Sequence, residues 1–283
     1  QALEASIREY AAEHGVRIVG PNCIGVFDGA TRLDTFFQVH ERMLRPPSGK
    51  VAMITQSGTV GAAFLEAATY GISKFVSYGN RVDVDEADLL AYLAEDPDTA
   101  VVACYVEGFE RGRTFLETAR SVSQQKPVVI YKAGRSWLGA RASMSHTGFF
   151  GGSYKVCQGA FRQAGVIDVD SLEELEAATQ ALALQPEARG PRLAMISNGA
   201  GTMVQAMDLM EKYGLTMRDL EPETVERLEA VYPGYYIVQN PVDVTGSATS
   251  EDYRLGIEAL IGDPNVDVIM PWFVFQDTPL DEG

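Results

Sequence analysis

Two stretches of this chain, Val51-Ala-Met-Ile-Thr-Gln-Ser-Gly-Thr59 and Leu193-Ala-Met-Ile-Ser-Asn-Gly-Ala-Gly-Thr202, read almost alike, and that likeness constrains the fold more than any other feature. Each is an apolar run, then a turn of small and hydroxyl residues, then a helix-period segment ending in Tyr-Gly, at Tyr70-Gly71 and Tyr213-Gly214. Strand, tight turn and helix in that order open a unit that feeds a parallel sheet. Further matches follow in sequence: Asn80-Arg-Val-Asp-Val84 with Asn240-Pro-Val-Asp-Val244, and Asp96-Pro97 before Val101 with Asp263-Pro264 before Val268. Matches in one order, with spacing that grows where loops would lie, predict two copies of one α/β domain. General strand-turn-helix similarity is the competing explanation.

Val/Ile-rich runs predict strands at 16–19, 50–55, 75–78, 100–106, 128–132, 192–197 and 266–270. Helical periods between them predict helices at 60–70, 86–94, 111–123, 171–183 and 203–213, with another over 1–14. The Pro/Gly-bearing stretch Gln185-Pro-Glu-Ala-Arg-Gly-Pro191 separates the copies, and Arg45-Pro-Pro-Ser-Gly49 sets off an amino-terminal piece. The expected domains are thus 1–45, the tail of a preceding domain; 46–188, the first copy; and 189–283, a second copy that reads as truncated.

At 283 residues and 46% hydrophobic the chain can bury ordinary cores. It holds no apolar run of about 18 residues and no signal-peptide layout, so neither a membrane span nor export is expected. Cys23, Cys104 and Cys157 share no metal-ligand spacing and cannot all pair, which fits free thiols in a cytoplasmic protein. A net charge of −16 should repel nucleic acid and anionic lipid, so a polyanionic ligand needs a local site.

The two turns offer such sites. Gln56, Ser57, Gly58 and Thr59 in one copy, and Asn198, Gly199, Ala200 and Gly201 in the other, lie where a strand gives way to a helix. Small residues let the backbone approach a phosphate, and unpaired helix amides with the positive dipole end favour it. A tight turn capped by Ser or Asn explains either one alone equally well. Neither is a Walker loop or a dinucleotide fingerprint. Gly58 or Gly199 should be replaceable by a bulky residue with folding left intact.

His146, in Ala142-Ser-Met-Ser-His-Thr-Gly148, lies in what reads as a loop after an apolar strand. A neutral imidazole accepts a phosphoryl group when one nitrogen is free and the other N–H is held. Glu107, at the end of the 100–106 strand, is the candidate holder, because ligands gather at the carboxyl edges of parallel sheets. Alone, a loop histidine is more readily solvent-exposed or structural, and Glu107 is as readily a solvated strand end. His14 reads as a helix-end cap and His40 as solvent-facing. Three histidines so far apart form no metal site, and the Gly-x-Ser-x-Gly elbow of many hydrolases is absent.

Gly20-Pro-Asn-Cys-Ile-Gly25, Thr55-Gln-Ser-Gly58, Tyr78-Gly-Asn80, Glu107-Gly108, Ser145-His-Thr-Gly148, Ser197-Asn-Gly-Ala-Gly201 and Asn240-Pro-Val-Asp243 together resemble, in order, the NDP-forming acyl-CoA synthetases. These are the ADP-forming acetate–CoA ligases and, more distantly, the succinyl-CoA ligase alpha subunit. The resemblance implies two flavodoxin-like parallel-sheet domains after the tail of a Rossmann-like CoA-binding domain. It implies that His146 is phosphorylated, that Glu107 orients it, and that both helix amino termini hold the phosphoryl group. Asn22 and Asn240 are the weaker candidates for lining the carboxylate pocket. CoA is the implied substrate, ATP or ADP with Mg would bind an ATP-grasp subunit or domain outside this chain, and an oligomer is expected. A non-catalytic CoA- or phosphate-responsive module of the same fold is the alternative.

Overall fold

The computed structural model describes residues 2–147, 153–275 and 280, the side chains of Ala2 and 143–147 excepted. The chain divides into two compact units, 1–186 and 187–283.

The first unit runs α1 (Ala2–Glu13), β1 (Val26–Asp28), β2 (Leu33–Asp34), β3 (Ser48–Thr55), α2 (Gly58–Ala67), β4 (Ile72–Ser77), α3 (Glu86–Glu95), β5 (Val101–Val106) and α4 (Gly112–Ser123). It continues with β6 (Val128–Lys132), α5 (Trp137–Thr147), α6 (Tyr154–Ala164), β7 (Ile167–Asp168) and α7 (Leu172–Leu184). The sheet order is β2-β1-β4-β3-β5-β6-β7, with β4, β3, β5, β6 and β7 mutually parallel. In order of appearance those five run 2-1-3-4-5, the flavodoxin-like winding, whose direction reverses between β3 and β5. The antiparallel pair β1 and β2 covers the free edge of β4, which would otherwise present unpaired backbone groups.

Helices on both faces explain why the strands read as continuous apolar runs. Val51 and Met53 pack on the side of Phe64, Leu65 and Leu175 from α2 and α7. Ala52 and Ile54 pack on the other, with Leu90, Leu93, Phe115 and Phe161 from α3, α4 and α6. On α4, buried Phe115, Ala119 and Val122 recur at i, i+4 and i+7, one face of a 3.6-residue period. Helix starts follow local chemistry: Asp85 and Asp88 form a capping box on α3, and Ser171 caps α7. Residues 16–19, expected as a strand, are not one. Ile18 is tied to 83–84 instead, its N–H to the Asp83 carboxylate at 2.8 Å and its carbonyl to the Val84 N–H at 3.1 Å.

The second unit runs β8 (Leu193–Ser197), α8 (Ala200–Met210), α9 (Pro222–Glu229), β9 (Val242–Asp243), α10 (Ser250–Ile261) and β10 (Val268–Trp272). Its parallel sheet, β9-β8-β10, has the same 2-1-3 order as β4-β3-β5. Val51 pairs with Val101 as Leu193 pairs with Val268, so the Asp-Pro match holds in three dimensions. The Asn-x-Val-Asp-Val match does not. Val244 donates to the Ser197 carbonyl as Tyr78 donates to that of Thr55, both at 3.0 Å, so 240–244 takes the place of 74–78. The cause is a detour. After Tyr213-Gly214 the chain runs beside the start of β8 at the Arg192–Thr216 bridge, then leaves through α9 and returns as β9. The Asn240 side chain fills the gap, accepting from the Met195 N–H at 3.2 Å and donating to the Leu193 carbonyl at 2.9 Å, as a strand peptide would.

Candidate active site at the switch point of the first sheet

The carboxyl ends of β3 and β5 meet where the winding reverses, the place where open α/β sheets bind ligands. At the end of β3 the Thr55 hydroxyl donates to the Ser57 carbonyl at 2.8 Å and accepts from the Ser57 N–H at 3.1 Å, which closes the turn. Ser57 then caps α2, its Oγ accepting from the Val60 N–H at 3.4 Å and lying 3.1 Å from the Thr59 hydroxyl. Gly58 and Thr59 open the helix, where N–H groups lack intrahelical acceptors. Those amides, the two hydroxyls and the helix dipole form one anion-favouring corner.

Glu107 follows β5 directly and is half-buried. Its main chain is held from three sides. Gln56 Oε1 accepts from the Glu107 N–H and, at 3.1 Å, from the Gly108 N–H. Lys132 Nζ donates to the Glu107 carbonyl at 2.7 Å and to that of Ala133 at 2.5 Å. Arg81 Nη1 donates to the Gly108 carbonyl at 2.5 Å and lies 3.6 Å from the buried Glu86 carboxylate. Burial pushes the Lys132 amine down, against the opposing pull of Cys157 and Glu107. Burial also pushes the Glu86 carboxyl up to about 7, although the Arg81 charge favours its ionised form. Neither Lys132 nor Arg81 emerges from the sequence reading. A lysine closing the apolar run Val128–Lys132 was the available signal, since only a bound partner lets a charge sit there.

The Gly20–Gly25 loop packs against this corner. Asn22 Nδ2 donates to Asn80 Oδ1 at 3.3 Å, and the Asn80 N–H donates to the Pro21 carbonyl at 2.9 Å. A Cβ on Gly79 would stand 2.2 Å from the Pro21 carbonyl oxygen, so backbones meet there. A Cβ on Gly58 would stand 2.5 Å from Ile24 Cγ2, which corrects the expectation that the turn glycines can be enlarged freely. Gly58→Ala should therefore destabilise the fold by ~1–3 kcal/mol through overpacking. Gly201→Ala, at an open position of α8, should be neutral or stabilising by ~0.5 kcal/mol. Urea midpoints check the contrast, and equal shifts at both sites would refute it.

In the second unit, Ser197 closes the equivalent turn, its Oγ accepting from the Gly199 N–H at 3.0 Å. Asn198, at the place of Gln56, accepts at Oδ1 from the Val274 N–H at 2.8 Å and donates from Nδ2 to the Val274 carbonyl at 2.7 Å. By register, Val274 stands where the first unit has Glu107. Asn240 also donates to the Arg218 carbonyl at 2.9 Å, so its amide is committed to backbone groups of its own unit.

His146 lies in the last turn of α5, not in a loop. Ser136 starts that helix, its Oγ accepting from the Gly139 N–H at 3.1 Å and its carbonyl from the Ala140 N–H at 2.8 Å. Small and hydroxyl residues over 142–147 disguised a helix that Ser136 and the alanines favour. The His146 side chain and Gly148 lie outside the described parts of the structure. No three His, Cys, Asp or Glu side chains converge as a metal cage among the described residues, and no described helix is long and apolar enough to cross a membrane.

A family model for the succinyl-CoA ligase-like flavodoxin domain matches residues 48–182. The alpha subunit of ADP-forming acetate–CoA ligase II of Pyrococcus furiosus is 40% identical over 94% of the chain, which covers 58% of that relative. ADP-forming acetate–CoA ligase I of Archaeoglobus fulgidus is 39% identical over 95% of the chain, which covers 39% of it. The dinucleotide-forming acetyl-coenzyme A synthetase 1 of Ca. Korarchaeum cryptofilum, solved with phosphate and ADP, superposes with a TM-score of 0.90 at 34% identity, over 98% of this chain and 60% of that one. The chain thus spans somewhat over half, or less, of the relatives it matches. With this domain match, this winding and this likeness along nearly its whole length, the chain belongs to the NDP-forming acyl-CoA synthetase family.

Proposed function

We propose that this chain forms part of an ADP-forming acyl-CoA ligase and carries its phosphoryl relay. Phosphate oxygen attacks the thioester carbon of an acyl-CoA, the C–S bond breaks, and acyl phosphate and CoA leave. A nitrogen of His146 then attacks phosphorus, the P–O bond to the acyl oxygen breaks, and the free carboxylate departs. Finally ADP oxygen attacks the phosphohistidine and the P–N bond breaks, giving ATP. Every step reverses.

In this scheme Glu107 accepts the second N–H of the imidazole, which fixes the tautomer and stabilises the cationic phosphohistidine. The amides opening α2 hold the phosphoryl oxygens, and those opening α8 offer a like anion-favouring terminus in their own unit, so in-line positioning and charge stabilisation do most of the work. The nucleotide and its Mg would reside on an ATP-grasp subunit or domain, the Mg neutralising nucleotide phosphate charge there. In the same reading Asn22, hydrogen-bonded to Asn80 beside this corner, lines the pocket for a small carboxylate. The observation that carries the proposal is the position of Glu107, at the switch point beside the α2 amino terminus, in a chain 40% identical to an ADP-forming acetate–CoA ligase alpha subunit.

The test is incubation of the full-length protein with acetyl-CoA and radiolabelled phosphate. An acid-labile, base-stable protein label is expected, and Glu107→Gln should form it about 100-fold more slowly. Absence of label in the wild type would overturn the proposal in favour of a non-catalytic module.

A further inference from the structure

We infer that Gln56 is a positioning residue for Glu107 rather than a phosphate ligand, and that Lys132 and Arg81 complete the same clamp. The inference rests on the relay proposed above. Turn residues that follow a strand are natural suspects for anion binding, but here the acceptor oxygen of Gln56 is occupied by two consecutive backbone N–H groups, those of Glu107 and Gly108. The carbonyls of the same two residues are taken by Lys132 and Arg81. All four main-chain polar groups of the Glu107-Gly108 turn thus meet a side chain, and each of the three side chains comes from a different segment of the first unit. Lys132 is almost wholly buried, at 1% exposure, and Arg81 at 6%. Charges so enclosed hold fixed positions, because leaving their acceptors would strand them away from water.

The second unit shows the same device independently. Asn198 grips both main-chain groups of Val274, the residue at the place of Glu107. The grip on the crossing strand's end is therefore a property of the repeated fold. Only in the first unit does the gripped residue carry a carboxylate, so only there does rigidity of the turn become precision of a side chain. A carboxylate that must meet one imidazole nitrogen needs its backbone fixed to a fraction of an ångström.

The experiment is a double-mutant cycle in the full-length enzyme with its nucleotide-binding subunit or domain, reading both the single-turnover rate of phosphohistidine formation and KM for phosphate. Gln56→Met, of similar size but without an acceptor, should slow the rate about tenfold or more, with KM for phosphate within about twofold of wild type. Gln56→Glu, which keeps an acceptor for both amides, should recover most of that rate. On a Glu107→Gln background, Gln56→Met should add less than about twofold, because it acts through a group already lost. A raised KM for phosphate in Gln56→Met, raised further by the charge in Gln56→Glu, would overturn the inference and make Gln56 a phosphate ligand. Multiplying effects in the double variant would overturn it also, while leaving the relay intact. A wild type without phosphohistidine sinks the relay itself. Should Gln56→Met not fold, Gln56→Asn, whose oxygen stops one methylene short, enters the same cycle.

Discussion

On the proposed relay, a His146→Asn variant of the full-length protein should lose ATP formation from acyl-CoA, phosphate and ADP by roughly four orders of magnitude or more. Asparagine keeps a polar group near the place of one ring nitrogen but has no lone pair able to accept phosphorus. His146 lies in the last turn of α5, where asparagine and histidine have similar helix propensities. A sharper distinction lies in the partial reactions. In the proposed relay acyl phosphate forms before the histidine acts, so phosphate-dependent exchange of labelled CoA into acetyl-CoA should survive in the variant. Transfer of label from ATP to protein, which needs the imidazole, should vanish. Loss of both partial reactions together would assign His146 to substrate binding instead, and survival of ATP formation would remove it from the chemistry.

The sequence made the large elements legible because the sheet is covered on both faces. Val51 to Thr55 and Val101 to Cys104 are all essentially buried, so hydrophobicity alone marks them. Short or interrupted pairing left no comparable mark. β7 and β9 are two residues each, and in the second unit an asparagine side chain takes the place of strand backbone. That substitution misled the reading of the repeat, because Asn-x-Val-Asp-Val matched by residue type at the wrong register. In the candidate site, the turn at Thr55–Thr59 and the strand end at Glu107 were legible as positions. What joins them was not, because a glutamine after a strand looks the same whether its oxygen faces a ligand or two amides 51 and 52 residues away. Arg81 left no mark for the same reason, since its partner in the turn is a carbonyl, and Lys132 at the end of an apolar run signals a buried partner without saying which one.

Glu86→Gln should flatten the pH dependence of stability and leave the variant more stable than wild type at pH 8 by about 3 kcal/mol. Glu86 is 1% exposed, and neither of its carboxylate oxygens meets a hydrogen-bond donor among the described residues. Arg81 at 3.6 Å is close enough to attract it but not to bond it. Burial therefore outweighs attraction and pushes its carboxyl up to about 7. A carboxyl raised in the folded state binds its proton more tightly there than in the unfolded chain. Its contribution to stability is thus fully present below the ordinary carboxylate range, near 4.5, and lost as pH rises through 7. Glutamine resembles the protonated form at every pH, so the two proteins should agree near pH 4.5 and diverge above it. Urea midpoints from pH 4.5 to 8 measure this directly, and parallel curves would show that Glu86 is ionised throughout. A buried pair that weakens the fold at neutral pH needs another reason to persist, and Arg81 provides one in its bond to the Gly108 carbonyl. If Glu86 serves to hold that guanidinium beneath the turn, the stabilised Glu86→Gln protein should also form phosphohistidine more slowly. A gain in stability with an unchanged rate would leave the ion pair without a part in aligning Glu107.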